Sequence, residues 1–135
     1  MAFTKWQNWP EAPDLREASF TETLDGGQTF RWNRVDDYYE GRWGEHIIRL
    51  RKGKQGIEWS APAETRASDV NAALRGYFAL DTDFSALTDA LPWRSDPLLK
   101  TAIEAFRGLR ILRQPLNETL FCFLCSSTKQ IPQIK

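Results

Sequence analysis

The sequence predicts an α+β fold in which an antiparallel β-sheet comes first and helices follow. Between residues 29 and 61, four short runs mix apolar and charged residues at a period near two, and turn residues separate the runs. From Ser68 onwards, apolar residues instead recur three or four positions apart, which is the spacing of an amphipathic helix. With 135 residues, of which 41% are hydrophobic, the chain can bury a core without disulfides or metals.

The strands are expected after a lead-in that prolines mark as far as Pro13. Residues 16–23 are predicted to form a first strand that ends at Asp25-Gly26-Gly27. Four further strands are predicted at residues 29–35, 38–44, 46–51 and 56–61. Because the turns between these strands are short, consecutive strands are expected to pair as an antiparallel meander.

Four helices are predicted after the sheet. The first begins at Ser68 as its N-cap, a short second helix covers residues 84–91, and Asp96-Pro97 starts a third that ends at Gly108. The last helix is expected to begin near Pro115. Its residues 120–125 are apolar on every side, which is typical of a helix that is buried all round. Either the sheet and the other helices cover it, or a further helical layer does.

The charge of the chain is balanced overall but unevenly distributed. Lysine plus arginine and aspartate plus glutamate both number 18, yet residues 1–93 carry a net charge of −4 and residues 94–135 a net charge of +4. A polyanionic partner is therefore expected to contact the C-terminal third. An excess of this size also occurs on solvated helices, so the pattern is compatible with a plain surface as well.

Signals for secretion and for membrane insertion are missing from the sequence. Residues 1–10 contain no continuous apolar stretch, and no later segment is long and apolar enough to cross a membrane. We therefore expect a cytoplasmic protein, associated with the nucleoid if it is bacterial, with no membrane partner.

Few residues have the chemistry of a metal site or a nucleophile. Cys122 and Cys125 have the C-x-x-C spacing of zinc and redox sites, but their neighbours are apolar and the single histidine, His46, lies far away in sequence. We expect two buried free thiols, no metal and no cofactor. One histidine also leaves no basis for a Ser-His-Asp triad, and no glycine-rich phosphate loop occurs.

Three sequence blocks resemble a known family. They are Phe-Thr-Glu-Thr-Leu-Asp-Gly-Gly-Gln-Thr-Phe-Arg-Trp at 20–32, Tyr-Phe-x-Leu-Asp at 77–81, and Gly-Leu-Arg-Ile-Leu-Arg-Gln at 108–114 followed by the helix that ends in Cys-Ser-Ser at 125–127. In this order and spacing, residues 15–135 resemble the 8-oxoguanine DNA glycosylases. The resemblance implies a lead-in at 1–14 and a twisted, TATA-binding-protein-like antiparallel sheet with helices at 15–112. It also implies that 113–135 is the first helix of an all-helical helix-hairpin-helix domain that is cut short.

Gly27, Gln28 and Phe30 are the substrate-binding residues that the resemblance implies. In this family the glycine matching Gly27 offers its carbonyl to a purine that has been flipped out of the duplex. Ordinary guanine has a hydrogen-bond acceptor at N7, whereas 8-oxoguanine carries a hydrogen there, so one carbonyl attracts the oxidised base and repels the ordinary one. For Phe30 two interpretations stay open, a wall of the base pocket or a core residue beside Trp32.

Thr128, Lys129, Gln130 and Gln133 are the predicted DNA-binding residues. They stand where the family has a run of asparagines followed by an arginine, which fill the gap left by the flipped base and read its partner, usually cytosine. Gln133 departs from this pattern because it is not a charged donor of paired hydrogen bonds. A preference for cytosine is therefore in question, and a plain polar loop is the alternative.

The catalytic residues that the resemblance implies are not found in this chain. The family attacks the sugar with a lysine that follows a helix-hairpin-helix turn, with an aspartate nearby, and none of the six lysines here follows such a turn. We expect a chain that is inactive alone, and a monomeric full-length DNA N-glycosylase, with or without AP-lyase activity, that acts on damaged double-stranded DNA. A glycosylase for alkylated purines and a non-catalytic DNA-binding module are the alternatives.

Overall fold

The computed structural model describes residues 1–134 and contains a five-stranded antiparallel sheet with helices before and after it. The strands are β1 (Gln7–Asn8), β2 (Trp32–Val35), β3 (Tyr38–Trp43), β4 (His46–Gly53) and β5 (Gly56–Ser60). The helices are α1 (Glu17–Asp25), α2 (Ala67–Tyr77), α3 (Phe84–Asp89), α4 (Pro97–Ala105), α5 (Leu116–Ser126) and α6 (Ile131–Ile134). The predicted α+β class is confirmed.

The sheet has the strand order β1-β5-β4-β3-β2, so β2 to β5 form the predicted meander. Trp32 faces Gly41 across β2 and β3, and Leu50 of β4 faces Tyr39 on one side and Trp59 on the other. The alternation that predicted these strands places Tyr39, Leu50 and Trp59 on one buried face. β2 is shorter than predicted, because it begins at Trp32 and not at residue 29.

The strand predicted at residues 16–23 is wrong, since this segment forms helix α1. Phe20 and Leu24 lie four residues apart, and both are buried, as are Ser19 and Thr23 at the same spacing. A helix puts these four side chains on one side, whereas a strand would divide them between two faces. The helix ends at Gly26, whose backbone N–H donates to Glu22 O at 2.9 Å.

Three of the four predicted helix starts are confirmed, among them that of α3 at Phe84, and one is wrong. Asp96 Oδ1 accepts hydrogen bonds of 3.0 Å from the backbone N–H groups of Leu98 and Leu99, and α5 begins directly after Pro115. Ser68 is not the N-cap of α2, which begins one residue earlier behind Arg66. The α2 N-cap has no side-chain hydrogen bond, and the buried residues Val70 and Leu74 pack the helix against the core.

The apolar residues 120–125 of α5 are largely exposed in the part of the chain that the structure describes. Within α5 only Cys122 is buried, while Phe121 is 69% exposed and Leu124 65%. Residues 1–134 cover one side of the helix and leave the other apolar side open. The interpretation that the sheet and the other helices surround α5 therefore fails. None of the described helices is long and apolar enough to cross a membrane.

Candidate functional site

The two glycines between α1 and β2 form an exposed turn. Gly27 has a φ of 99°, a backbone conformation that residues with a side chain rarely adopt. A Cβ placed on Gly27 would meet no other atom within 4 Å. Glycine is therefore required here by the backbone angle, and the space above the turn is open to a ligand.

Gln28 turns its side chain into the protein. Its Nε2 donates to the carbonyl oxygens of Thr23 at 3.1 Å and Arg110 at 2.8 Å, and its Oε1 accepts from the Leu112 backbone N–H at 2.9 Å. Both hydrogens of the carboxamide and its oxygen thus have partners within the chain. The contact predicted between Gln28 and a substrate stays a prediction, and a side-chain contact would require these bonds to rearrange.

Thr29 is buried and belongs to a hydrogen-bonded chain that reaches the core. Its Oγ1 lies 3.3 Å from the Tyr77 hydroxyl and accepts from the Arg31 backbone N–H at 3.2 Å. The Trp32 indole N–H donates to the same Tyr77 hydroxyl at 3.2 Å. Burial raises the pKa of Tyr77, so this hydroxyl keeps its proton and can donate it to Thr29. Trp32 itself is completely buried, as the core interpretation predicts.

Phe30 is 5% exposed and packs its ring edge-on against Phe123 of α5, with the ring centroids 4.9 Å apart. It therefore lies at the contact between the sheet and α5. Its predicted role in a base pocket stays a prediction. With Gln28 and Thr29 also turned inwards, the exposed part of this segment is the backbone of Gly26 and Gly27.

A second contact fixes α5 against the sheet. Glu118 Oε1 accepts from the backbone N–H of Gly44 at 2.9 Å, in the turn between β3 and β4. Its Oε2 lies 3.5 Å from Arg31 Nε, and that nitrogen donates to Arg42 O at 2.8 Å. Through Glu118, the first turn of α5 is therefore connected both to the β3–β4 turn and to Arg31, which lies close to the glycine turn.

The four residues predicted to contact DNA are exposed and lie in the segment that follows α5, with Gln133 in the short helix α6. The backbone N–H groups of Thr128 and Lys129 donate to Cys125 O at 3.1 and 2.9 Å. Gln133, in α6, accepts from the Gln130 backbone N–H through its Oε1 at 3.1 Å. None of the ion pairs found within residues 1–134 includes Lys129. The contact of these four residues with DNA stays a prediction.

The family model for the N-terminal domain of 8-oxoguanine DNA glycosylase matches residues 12–120. The chain belongs to this family. The resemblance that the three sequence blocks carry is thereby confirmed.

Two eukaryotic relatives of this 8-oxoguanine glycosylase domain agree with the match. The chain is 30% identical over 121 residues to N-glycosylase/DNA lyase OGG1 of Arabidopsis thaliana and 29% identical over 129 residues to N-glycosylase/DNA lyase of Saccharomyces cerevisiae. Each comparison covers 87% of this chain, but 33% and 34% of the respective relative. The chain therefore spans about a third of the length of these curated relatives.

Solved structures of 8-oxoguanine glycosylases share the fold. MBOgg1 in complex with a low-affinity DNA ligand superimposes with a TM-score of 0.70 at 31% identity, over 92% of this chain and 46% of that one. The apo form of Clostridium acetobutylicum 8-oxoguanine glycosylase/lyase gives 0.71 at 29%, over 86% and 39%. The same bacterial enzyme with double-stranded DNA that contains cytosine opposite 8-oxoguanine gives 0.71 at 25%, over 92% and 45%.

Three residues that support the site of this glycosylase domain were not recognised as such from the sequence. Arg110 donates through Nε to Phe78 O at 2.9 Å and through Nη2 to Ala79 O at 2.8 Å, and thereby holds the loop after α2. Gln114 Nε2 donates to Gln28 O at 2.7 Å. Tyr77 anchors Thr29. All three residues lie within the sequence blocks that resemble the glycosylase family. Their position in these blocks is the signal by which the sequence could have identified them.

The cysteines of the glycosylase domain are free, as predicted, although only Cys122 is buried and Cys125 is partly exposed. Residues 1–134 contain no group of three or more His, Cys, Asp and Glu side chains that could hold a metal ion.

Proposed function

We propose that this chain is the base-recognising part of a DNA repair glycosylase that removes 8-oxoguanine from double-stranded DNA. One observation carries the proposal: the three side chains after the glycine turn are engaged inside the protein, so the turn presents its backbone to a ligand. A backbone carbonyl accepts a hydrogen bond from the N7–H of 8-oxoguanine and meets a second acceptor at N7 of guanine. A hydrogen-bonding group left without a partner costs about 1–3 kcal/mol, which corresponds to a factor of roughly 5 to 150 in affinity.

The exposed segment after α5 supports the part of the proposal that concerns binding to double-stranded DNA. Lys129 is a cation suited to a phosphate, and Thr128 and Gln130 have donors and acceptors suited to a base edge. Such residues, exposed in the segment that follows a helix, can enter the gap that a flipped base leaves behind. We assign them to the DNA face of the protein and not to the chemistry.

The catalytic lysine and aspartate of the full-length protein are proposed to lie outside these 135 residues, in a helical domain of which 113–135 is the first part. The relatives are about three times as long as the segment they share with this chain. Phe121 and Leu124 supply an apolar surface that such a domain would cover. On this proposal the 135-residue chain by itself binds DNA weakly, in a salt-sensitive manner, and does not cut the glycosidic bond. The full-length protein acts as a monomer in the cytoplasm or at the nucleoid.

The proposal is tested with the whole gene product on duplexes that hold one 8-oxoguanine opposite each of the four bases in turn. We expect excision, and trapping of a covalent adduct by borohydride if a lysine attacks the sugar. An otherwise identical duplex with guanine is the control. Equal trapping on undamaged DNA, or no reaction with any oxidised purine, would overturn the substrate assignment. Excision by the 135-residue chain itself would show that the chain is not inactive.

A second candidate function is the excision of alkylated purines, and the observation that supports it concerns Gln133. Its side chain accepts from the Gln130 backbone, and it lacks the charge with which the family reads cytosine. An alkylated base such as 7-methylguanine has no hydrogen at N7 to donate to a carbonyl, so the two functions separate in one assay. Excision of 7-methylguanine in preference to 8-oxoguanine would favour this alternative. Binding of both duplexes without excision of either would favour a non-catalytic module.

The Gln133→Arg variant is expected to raise the preference for cytosine opposite the damaged base. A guanidinium donates paired hydrogen bonds to the acceptors of a base edge, and such a pair discriminates by about 1–3 kcal/mol, or roughly fivefold at the lower end. Excision rates opposite the four bases measure the effect. Gln55→Arg is the control, because it adds the same charge in the exposed turn between β4 and β5. An equal gain opposite all four bases would show a charge effect without base reading.

A further inference from the structure

We propose that Gln28 and Gln114 are positioning residues that hold the Gly27–Gln28 peptide in place and thereby set the discrimination between 8-oxoguanine and guanine. This inference rests on the proposed function, in which the Gly27 carbonyl reads N7. It gives Gln28 a role that differs from the direct substrate contact predicted from sequence.

Gln28 is fixed by four hydrogen bonds that reach two separate parts of the chain. Its carboxamide binds Thr23 O at the end of α1, and Arg110 O and Leu112 N–H in the segment before α5. Its own carbonyl accepts from Gln114 Nε2 at 2.7 Å. The residue that follows the reading carbonyl is therefore held through both its side chain and its backbone.

The turn itself has little stiffness of its own. Gly26 and Gly27 have no side chains, both are exposed, and a glycine moves easily between several backbone conformations. A hydrogen bond weakens steeply when its angle closes, and a recognition site needs its groups within about 0.5 Å of their working positions. Gln28 directly follows Gly27, and its four hydrogen bonds therefore restrain the backbone at the end of the glycine turn, which the glycines themselves do not.

Gln114 connects this restraint to the proposed DNA face. It lies directly before Pro115 and α5, whose last residues lead into the Thr128–Gln133 segment. One carboxamide therefore links Gln28, the residue that follows the reading carbonyl of Gly27, to the helix that leads to the gap in the duplex. Loss of that link is expected to reduce the preference for 8-oxoguanine over guanine even in a variant that still folds.

The test uses two variants of the whole gene product, Gln28→Met and Gln114→Met, which keep the length of the side chain and remove its hydrogen bonds. Binding constants are measured for duplexes that carry 8-oxoguanine or guanine at one position. We expect the ratio of the two constants to fall roughly tenfold in each variant, by weaker binding of the oxidised duplex, since tenfold corresponds to one typical hydrogen bond.

Two controls separate positioning from plain loss of stability. Ser60→Ala removes a buried hydroxyl that donates to Thr4 O at 2.8 Å, in β5 and away from the glycine turn. Gln55→Met repeats the same exchange of side chain at an exposed site. Both are expected to keep the wild-type ratio, although Ser60→Ala lowers the melting temperature. Hydrogen exchange provides a second readout: the Leu112 amide should exchange faster in Gln28→Met and not in Ser60→Ala.

The outcomes are distinct. A wild-type protein that prefers 8-oxoguanine, with variants that keep the full preference, overturns this inference and leaves the proposed function intact. A fall of the ratio in Ser60→Ala as large as in Gln28→Met also overturns it, because stability alone then accounts for the effect. A wild-type protein without any preference overturns the proposed function and this inference together.

Discussion

Replacing Gly41 with alanine is expected to destabilise the fold by about 1–3 kcal/mol or more, which is the range for overpacked cores. A Cβ on Gly41 would lie 2.6 Å from three ring atoms of Trp32, its cross-strand partner. Trp32 is completely buried and has Trp43 and Tyr77 rings on its other sides. Its indole therefore cannot move aside without disturbing the core. Urea denaturation of the variant measures the loss.

Gly76→Ala is the matched control for this prediction. Gly76 lies in α2, and a Cβ there would meet no atom within 4 Å. Alanine restricts the unfolded chain more than glycine and favours a helix, so this variant is expected to gain about 0.5–1 kcal/mol. The same exchange of glycine for alanine is thus expected to lower the free energy of unfolding at Gly41 and to raise it at Gly76. A Gly41→Ala protein as stable as wild type would show that the Trp32 ring is not confined.

The Trp32–Gly41 pair also illustrates what the sequence could predict. Alternation along Tyr38–Trp43 was sufficient to predict a strand and to place Gly41 on the same face as Tyr39, because side chains on a strand alternate strictly. That a tryptophan lies over the glycine depends on the register between two strands. Register follows from packing of the whole sheet, so it became known only from the structure.

The error at residues 16–23 has a related cause. Phe20-Thr-Glu-Thr-Leu24 is compatible with a strand because of its threonines and with a helix because its apolar residues are four apart. In a segment of eight residues, local preference does not decide between the two. Burial of Phe20 and Leu24 together on one side favours the helix. For α5 the sequence left two kinds of cover open, since an apolar sequence indicates that a surface will be covered but not by which residues.

The site shows the same limit at longer range. Gln28 was singled out from the sequence as a substrate-binding residue, and that role stays a prediction; its hydrogen-bond partners Arg110 and Leu112 lie 82 and 84 residues further along the chain. A polar residue beside a glycine turn is compatible with either ligand binding or internal support. Only the fold shows that the carboxamide is directed at backbone groups.

The Tyr77→Phe variant is expected to lose about 1–3 kcal/mol at neutral pH, the usual cost of leaving a buried donor or acceptor without its partner. The hydroxyl lies within hydrogen-bonding distance of Trp32 Nε1 and Thr29 Oγ1, and all three residues are buried. Because Thr29 belongs to the segment that follows the glycine turn, binding of the oxidised base should weaken as well. Urea denaturation and duplex binding measure the two effects.

The same variant is expected to change how stability depends on alkaline pH. Burial raises the pKa of Tyr77 above its ordinary value of 10.0, so the folded protein keeps a proton that the unfolded chain has already released. The contribution of Tyr77 to stability is therefore complete below about pH 10 and declines as the pH rises from there through the folded-state pKa. Tyr77→Phe lacks this group, so its stability should fall less steeply in that range.

Thr29→Val separates the hydrogen bond from the titration. This variant removes one partner of the hydroxyl but keeps Tyr77 buried, so it should be less stable at neutral pH and still show the alkaline decline. The wild type should therefore approach Tyr77→Phe as the pH rises above 10, and Thr29→Val should lose stability relative to Tyr77→Phe, because only the wild type and Thr29→Val lose the contribution of a buried, protonated tyrosine. Parallel alkaline curves for all three proteins would mean that Tyr77 ionises as readily in the folded state as in the unfolded chain, so that burial does not raise its pKa.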